Sequence, residues 1–152
     1  MEQIKISNME DTRISGVKVF FENTSEFYEE GYFKWQQSEL TAEFGSGAVS
    51  GGILKAWHHE PAFTEVEYHK DKEMFYFLSG NAIMLFIDIS AGKPDMRTAQ
   101  IVRIHPGTQI IIEEGKGHFV AVAEDDEPVT AVVVSPRMDA PRITLSDTLK
   151  GV

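Results

Sequence analysis

Residues 63–80 read FTEVEYHKDKEMFYFLSG, which is two strand-like runs joined by a short polar turn. Successive side chains of a β-strand point to opposite faces, so Glu67 and His69 point to the same face. These two side chains can therefore converge on one ion or one substrate. Glu73 follows His69 by four positions, beyond the polar turn.

Runs of this kind recur along the chain from residue 53 onward. They are rich in Val, Ile, Phe and Tyr, and turns containing Gly, Pro, Asn or Asp separate them. The predicted strands cover residues 53–57, 63–68, 74–78, 82–87, 98–104, 109–113, 119–123 and 129–134. Short strands at a spacing of roughly 8–12 residues predict an all-β sandwich or barrel, and the jelly roll is a common closed form. No stretch shows the period of an amphipathic helix, which argues against an α/β fold.

The chain has 152 residues, the usual length of one domain, and no change in composition marks a second domain. We therefore expect a single domain over residues 1–152, with a barrel core at about 53–134. The residues before this core are polar and irregular, and the Glu-rich segment 22–31 is compatible with a short helix.

The charge balance is strongly acidic, because 14 Lys and Arg residues stand against 24 Asp and Glu residues and give a net charge of −10. Such a field repels phosphate backbones and anionic lipid, so we expect a small-molecule ligand, with neither nucleic acid nor membrane as a partner. The longest apolar run, 82–87, has six residues, and the N-terminus lacks the apolar segment of a signal peptide. These features predict a cytoplasmic protein. The absence of cysteine excludes disulfides, thiolate metal sites and cysteine nucleophiles.

The spacing Glu67-x-His69-x3-Glu73-x6-Gly80 resembles the first motif of the cupin superfamily, whose usual form is His-x-His-x3–4-Glu-x6-Gly. The one departure is that Glu67 stands where the motif has its first His. This resemblance implies a cupin-type double-stranded β-helix, a jelly-roll barrel, with an irregular N-terminal segment.

A second cupin motif, Gly-x5-Pro-x-Gly-x2-His-x3-Asn, is matched by Gly107-x5-Glu113-x-Gly115-x2-His118. Glu113 replaces the motif Pro, and Val122 replaces the final Asn. The two motifs occur in the expected order, and the resemblance covers about residues 53–134.

A finer resemblance is to the ureidoglycolate lyase family, which carries Glu-x-His-Pro and then a Gln four residues after the His. Glu67 is shared with that family, while Lys70 replaces its Pro and Glu73 replaces its Gln. The similar segments are 66–80, the loop Lys93-Pro94-Asp95 and the turn Pro106-Gly107-Thr108-Gln109. The resemblance implies cleavage of ureidoglycolate to glyoxylate and urea.

Two histidines and two carboxylates, Glu67, His69, Glu73 and His118, form a candidate metal-ligand set. Imidazole and carboxylate ligands suit Zn, Ni, Mn or Fe, and the ligand types do not choose among them. A second carboxylate beside Glu67 raises the cost of ionising both, so a metal-free site is expected to hold a proton between Glu67 and Glu73.

Catalytic roles are assigned to three of these residues, with Glu67 and His69 as acid and base and His118 beside them. The expected substrate-binding residues at the barrel mouth are Trp57, Phe75, Phe77 and Lys116, with Leu85 completing the apolar surround. Lys55 and Arg103 are further cationic candidates for a substrate carboxylate. The remaining histidines are weaker candidates: only one of the adjacent His58 and His59 can point inward, and His105 precedes a proline at a turn.

Two other functions stay open beside the lyase. One is a metal-dependent cupin enzyme of another reaction type, such as an isomerase, dioxygenase or decarboxylase. The other is a cupin that binds a small molecule without catalysis. Glu73 adds a negative charge where the lyase family has a neutral amide, which disfavours an anionic substrate unless a metal or a proton compensates.

A homodimer is expected, because a large exposed aromatic patch needs a partner surface and two-fold dimers are the commonest solution. The aromatic residues are Phe20, Phe21, Phe27, Tyr28, Tyr32, Phe33 and Trp35.

Overall fold

The structure is a computed structural model that describes all residues from 1 to 152. Its elements are β-strands apart from one short 3-10 helix at Met9–Asp11. The strands are β1 (Glu2–Ile4), β2 (Ser7–Asn8), β3 (Val17–Phe21), β4 (Tyr28–Glu30), β5 (Phe33–Trp35), β6 (Gly52–Ala56), β7 (Ala62–Glu67), β8 (Glu73–Ser79), β9 (Ala82–Ser90), β10 (Lys93–Ile104), β11 (Thr108–Ile112), β12 (Gly117–His118), β13 (Val122–Ala123), β14 (Val129–Val134) and β15 (Arg142–Gly151). None of these elements is a helix with the length and hydropathy needed to span a bilayer.

Two sheets and a separate hairpin organise the strands. The larger sheet has the order β1-β15-β7-β12-β9-β10-β2, with β13 also paired to β9. The smaller sheet has the order β3-β11-β8-β14-β6, and β4 pairs only with β5. Sequence neighbours are mostly not sheet neighbours, as in a jelly roll. The predicted all-β, cupin-type jelly-roll fold is confirmed.

The main core is a cluster of 16 buried residues drawn from both sheets. Alternation along β8 and β9 sends Phe75, Phe77, Met84 and Phe86 into this cluster. The intervening residues of β9, such as Leu85, belong to a second cluster of nine on the other face of the larger sheet. Because both faces of β9 are buried, its sequence is continuously apolar rather than alternating.

The strands predicted from residue 53 onward are present, with two differences. Residues 119–121 are not in a strand, so β13 alone represents the predicted run 119–123, and β12 precedes it. β10 begins at Lys93, so Lys93-Pro94-Asp95, expected as a loop, lies in a strand. The segment 22–31 is not helical, so that expectation is wrong, because its residues form a turn followed by β4.

Strands outside 53–134 complete both sheets. β3 pairs with β11, and β15 pairs with β7. The register of β15 shifts between Thr144 and Leu149, so its buried residues do not follow one strict alternation. That shift explains why residues 142–151 show no clear strand pattern. The structure thus uses both chain ends in the sheets, while the single-domain boundary stays a prediction.

The motif residue Gly80 is required by its backbone conformation and its surroundings. Its φ is +71°, and a Cβ there would lie 2.5 Å from the carbonyl oxygen of Pro128. We expect Gly80→Ala to lower the free energy of unfolding by about 3 kcal/mol, from backbone strain and from the clash.

Gly92→Ala is the matched control for that measurement, because Gly92 has a φ of +74° with no atom within 4 Å of the added Cβ. In Gly92→Ala, the left-handed backbone conformation is therefore the only source of destabilisation, and we expect it to lower the free energy of unfolding by about 1 kcal/mol. Urea unfolding of both variants measures the difference. Equal losses at the two positions would contradict the contact with Pro128.

The hairpin β4–β5 carries four of the seven aromatic residues on which the predicted homodimer rests, while Phe20 and Phe27 are half-buried. Tyr32 is 98% exposed, and Tyr28 and Trp35 are each 60% exposed.

We expect light scattering to give a mass of about 34 kDa, twice the 17.1 kDa of one chain. A double variant, Tyr32→Ser with Trp35→Ser, should give a folded monomer. Trp57→Ser is the control, since Trp57 is 65% exposed but lies outside the hairpin. A wild-type mass near 17 kDa would contradict the dimer.

Candidate metal centre

Strand register brings Glu67 and His118 together on the larger sheet. His118 of β12 lies directly opposite Glu67 of β7 and Phe86 of β9. Residues directly opposite one another point to the same face, and Phe86 lies in the main core. Glu73 begins β8 in the smaller sheet, where it alternates in phase with the inward-facing Phe75. The site therefore lies between the two sheets.

His69 lies two residues beyond the end of β7, and the loop of the second motif holds it there. The amide of Gly115 donates a hydrogen bond to the carbonyl oxygen of His69 over 2.9 Å. The two motifs, far apart in sequence, are thus joined by a backbone contact next to the site.

Four side chains converge on one point. The Oε1 atom of Glu73 lies 2.8 Å from Nε2 of His69 and 3.0 Å from Nε2 of His118. The Oε1 atom of Glu67 lies 3.9 and 3.8 Å from the same two nitrogens. One ligand atom each from Glu67, His69 and His118 lies within 4.8 Å of the other two. The convergence expected from the two motifs is present.

Backbone carbonyls fix the chemical state of both imidazoles. Nδ1 of His69 donates to the carbonyl oxygen of Asp139, and Nδ1 of His118 donates to that of Lys116, each over 3.0 Å. A neutral histidine that donates from Nδ1 carries a lone pair on Nε2. Both lone pairs then face Glu73, whose ionised carboxylate only accepts hydrogen bonds. A positive charge, either a proton or a metal ion, is needed between these atoms.

The residues fit a metal ion. Nε2 of His69 is buried and has no aligned hydrogen-bond partner, although Glu73 lies within contact distance. Two ligand atoms that are each about 2.1 Å from one ion lie about 3.0 Å apart when they subtend a right angle at it, as in octahedral coordination. The spacing of Glu73 Oε1 from both imidazoles matches that value. A histidine that ligates a metal through one ring nitrogen usually donates a hydrogen bond from the other, often to a backbone carbonyl, as both histidines do here.

Without a metal, the proton lies on His69 rather than between the carboxylates. Burial alone would raise the pKa of Glu73, but contacts with His118 and His69 outweigh it and lower that pKa to about 2. Burial alone would lower the pKa of His69, but Glu73 and the Asp139 carbonyl outweigh it and raise that pKa to about 9. The proton expected between Glu67 and Glu73 is therefore a wrong prediction, because the histidines hold Glu73 ionised.

A small cavity of about 170 Å³ lies beside these groups and includes Glu67, Glu73 and His118 in its wall. The rest of the wall is apolar and consists of Leu54, Phe75, Met84, Phe119, Val120 and Val133. A larger open groove of about 850 Å³ contains none of the four converging residues. The cavity, rather than the groove, is the place for a ligand.

Of the four apolar residues expected at the barrel mouth, Phe75 lines this cavity and the other three lie elsewhere. Trp57 follows the last residue of β6 and is 65% exposed, so it points to solvent. Phe77 is one inward position further along β8 than Phe75 and is completely buried in the main core. Leu85 lies in the second core cluster, and its neighbour Met84 takes the place in the wall.

Lys116 contributes a backbone atom rather than its ammonium group. Its Nζ donates to Oδ1 of Asp88 over 2.6 Å, while its carbonyl oxygen accepts from His118. Arg103 is paired with Glu124, and Lys55 is exposed on β6. None of these three cations belongs to the cavity wall.

The remaining histidines lie away from the site, and two backbone contributions to it were not predicted. His58 and His59 are exposed, and His105 pairs with Glu10. The carbonyls of Asp139 and Lys116, which orient the imidazoles, carry no side-chain signal in the sequence. The apolar wall residues Leu54 and Met84 were identifiable only as members of strands.

Comparison with known proteins gives fold likeness alone. No protein-family model and no curated protein matches the sequence. Similar solved structures include three of oxalate decarboxylase from Bacillus subtilis, one of them studied for its Mn(II) centres and the other two carrying single-residue substitutions. Identities are 19, 19 and 20%, with TM-scores of 0.45, 0.45 and 0.43. Each match covers 64% of this chain and 24% of that one, so this chain spans about a quarter of their length. This likeness does not bear on the substrate or metal of the present protein.

The pKa values of Glu73 and His69 predict how the stability of the metal-free protein depends on pH. The ionised carboxylate of Glu73 stabilises the folded state at pH values above its unfolded-state pKa of 4.5. This contribution is lost as the pH falls toward the folded-state pKa of about 2. The protonated imidazole of His69 stabilises the folded state at pH values below its unfolded-state pKa of 6.5. This contribution is lost as the pH rises toward the folded-state pKa of about 9. The pair therefore contributes most between pH 4.5 and 6.5.

Unfolding measured in chelator across this range, for wild type and Glu73→Gln, isolates that contribution. The difference between the two proteins should be greatest inside the window and shrink on both sides. A difference that stays constant from about pH 3 to about pH 9 would contradict the assigned ion pair.

Proposed function

We propose that the protein is a metal-dependent cupin-type enzyme acting on a small oxygen-bearing molecule. A divalent cation would be held by Glu67, His69, Glu73 and His118. The observation that carries the proposal is the meeting of two Nε2 atoms at one carboxylate oxygen, 2.8 and 3.0 Å away, with both Nδ1 atoms donating to backbone carbonyls. Such a ligand set suits Zn, Ni, Mn or Fe.

The contacts of each residue indicate its chemical role in the proposed reaction. When bound, the metal would act as a Lewis acid that polarises an oxygen of the substrate. Glu67 lies in the cavity wall at 3.8 and 3.9 Å from the imidazoles, too far for a hydrogen bond. Its carboxylate has two oxygens, so one would hold the metal while the other could exchange a proton with a molecule in the cavity. The apolar wall excludes water and strengthens electrostatic interactions inside the cavity.

Ureidoglycolate cleavage is a second candidate, favoured by the resemblance of residues 66–80 and by the position of Glu67 in the cavity wall. In that reaction, Glu67 or His69 would take the hydroxyl proton as the carbon–nitrogen bond breaks, and the departing urea nitrogen would receive a proton. Against it stands the absence of any Lys or Arg in the wall to hold the substrate carboxylate.

The test of the metal site is metal content and melting temperature for wild type, Glu73→Gln and Glu113→Gln. Wild type should retain about one divalent ion per chain and gain thermal stability on metal addition, because the folded site binds the ion far better than the unfolded chain. Glu73→Gln should weaken metal affinity by about a hundredfold, since a charged ligand becomes neutral. Glu113→Gln makes the same chemical change at a side chain that pairs with Lys18 instead, and should bind metal like wild type.

Glyoxylate release from ureidoglycolate by the same proteins separates the candidate functions. The lyase function predicts that Glu73→Gln, which restores the amide of the resembling family, keeps or improves release. If the protein is a metal enzyme of another reaction type, we expect the wild-type protein to release no glyoxylate from ureidoglycolate. A wild type that binds no metal and releases no glyoxylate would remove both enzymes and leave a small-molecule-binding protein.

A further inference from the structure

The charges around the cavity limit what it can bind. Its wall contains two carboxylates, Glu67 and Glu73, and no Lys or Arg. A divalent cation bound there would be balanced by these two negative charges. An anionic ligand would add an unbalanced charge inside an apolar wall, where such a charge is costly.

Arg142 lies beside the wall and is paired with Glu65. The guanidinium carbon of Arg142 lies 5.2 Å from the ring centre of Phe119, a wall residue. Its Nη1 atom donates to Oε1 of Glu65 over 2.8 Å. Arg142 is 56% exposed and is not part of the wall, so it provides no buried cation for a carboxylate in the cavity.

The volume and the wall limit the ligand further. At about 170 Å³, the cavity is smaller than the ~300–1,000 Å³ typical of pockets for drug-sized ligands. Its apolar residues come from both sheets, from Leu54, Phe75 and Val133 on one side and Met84 on the other. A small molecule with methyl or similar groups can bury them here.

We infer that the site takes a small, uncharged molecule that carries two oxygen donors and an apolar part, and that it rejects carboxylates of the same shape. This inference rests on the proposed metal-dependent function and names its substrate class. The acidic substrates of the lyase reaction fall outside that class.

An isosteric pair of ligands tests the inference. 2-Hydroxyisobutyramide and 2-hydroxyisobutyrate have the same shape and the same pair of oxygen donors, and they differ in charge. Binding to the Co²⁺-loaded protein is followed through the visible absorption of the metal. We expect the amide to bind at least tenfold more tightly, the reverse of the order for free Co²⁺, which prefers carboxylate oxygen. Glycolamide, which lacks the two methyl groups, should bind about tenfold more weakly than 2-hydroxyisobutyramide.

Substitutions at the cavity mouth provide the matched controls. Val120 lines the cavity yet is 39% exposed, so a longer side chain there does not disturb the core. Val120→Lys should raise the affinity for the acid at least tenfold, while Val120→Gln, of similar size without the charge, should not. Arg142→Gln should leave the affinity of both ligands within twofold.

The outcomes separate the two proposals. A protein that binds no Co²⁺ would overturn the proposed function, and this inference with it. A Co²⁺-loaded protein that prefers the acid would overturn this inference and leave the metal function standing. Acid binding that falls more than tenfold in Arg142→Gln would also overturn it, because Arg142 would then be the anchor of an anionic substrate.

Discussion

Two imidazole nitrogens and one carboxylate oxygen occupy the same small space between the sheets, and this contact requires a positive charge among them. Nε2 of His69 and Nε2 of His118 both face Oε1 of Glu73 at hydrogen-bonding distance, while the opposite ring nitrogens donate to backbone carbonyls. A proton can supply the charge, which is why the pKa of His69 rises and that of Glu73 falls. A divalent cation supplies it for both histidines at once.

Parts of the chain outside the two motifs maintain this contact. The carbonyl that orients His69 belongs to Asp139, in the loop that leads from β14 into β15. β15 in turn pairs along β7, the strand that ends at Glu67, two residues before His69. The C-terminal strand therefore positions both the ligand and the group that holds it. A fold limited to residues 53–134 would lack this support.

The sequence predicted which residues converge at the site, but it did not predict which residues form the cavity wall. Spacing alone placed Glu67 and His69 on one face, and the second motif added His118. For the wall, period-2 alternation gives two faces per strand without saying which is inside. Both faces of β9 are apolar, and β6 carries the exposed Ile53 beside the inward Leu54. Trp57 and Leu85 were therefore assigned to the wrong face, while Leu54 and Met84 line the cavity. Phe77 has the right face but lies too deep, because depth along a strand depends on tertiary packing.

The replacement of the first motif histidine by Glu67 gives the site a consistent charge. Three imidazoles and one carboxylate around a divalent cation leave a net charge of +1, which attracts an anionic ligand. Two imidazoles and two carboxylates leave the centre neutral, and a neutral centre needs no anion to balance it. The other features of the cavity agree with that neutrality: its wall holds no cation, and Arg142 beside it is paired with Glu65. One substitution in the ligand set and an apolar wall thus favour the same kind of ligand, an uncharged one.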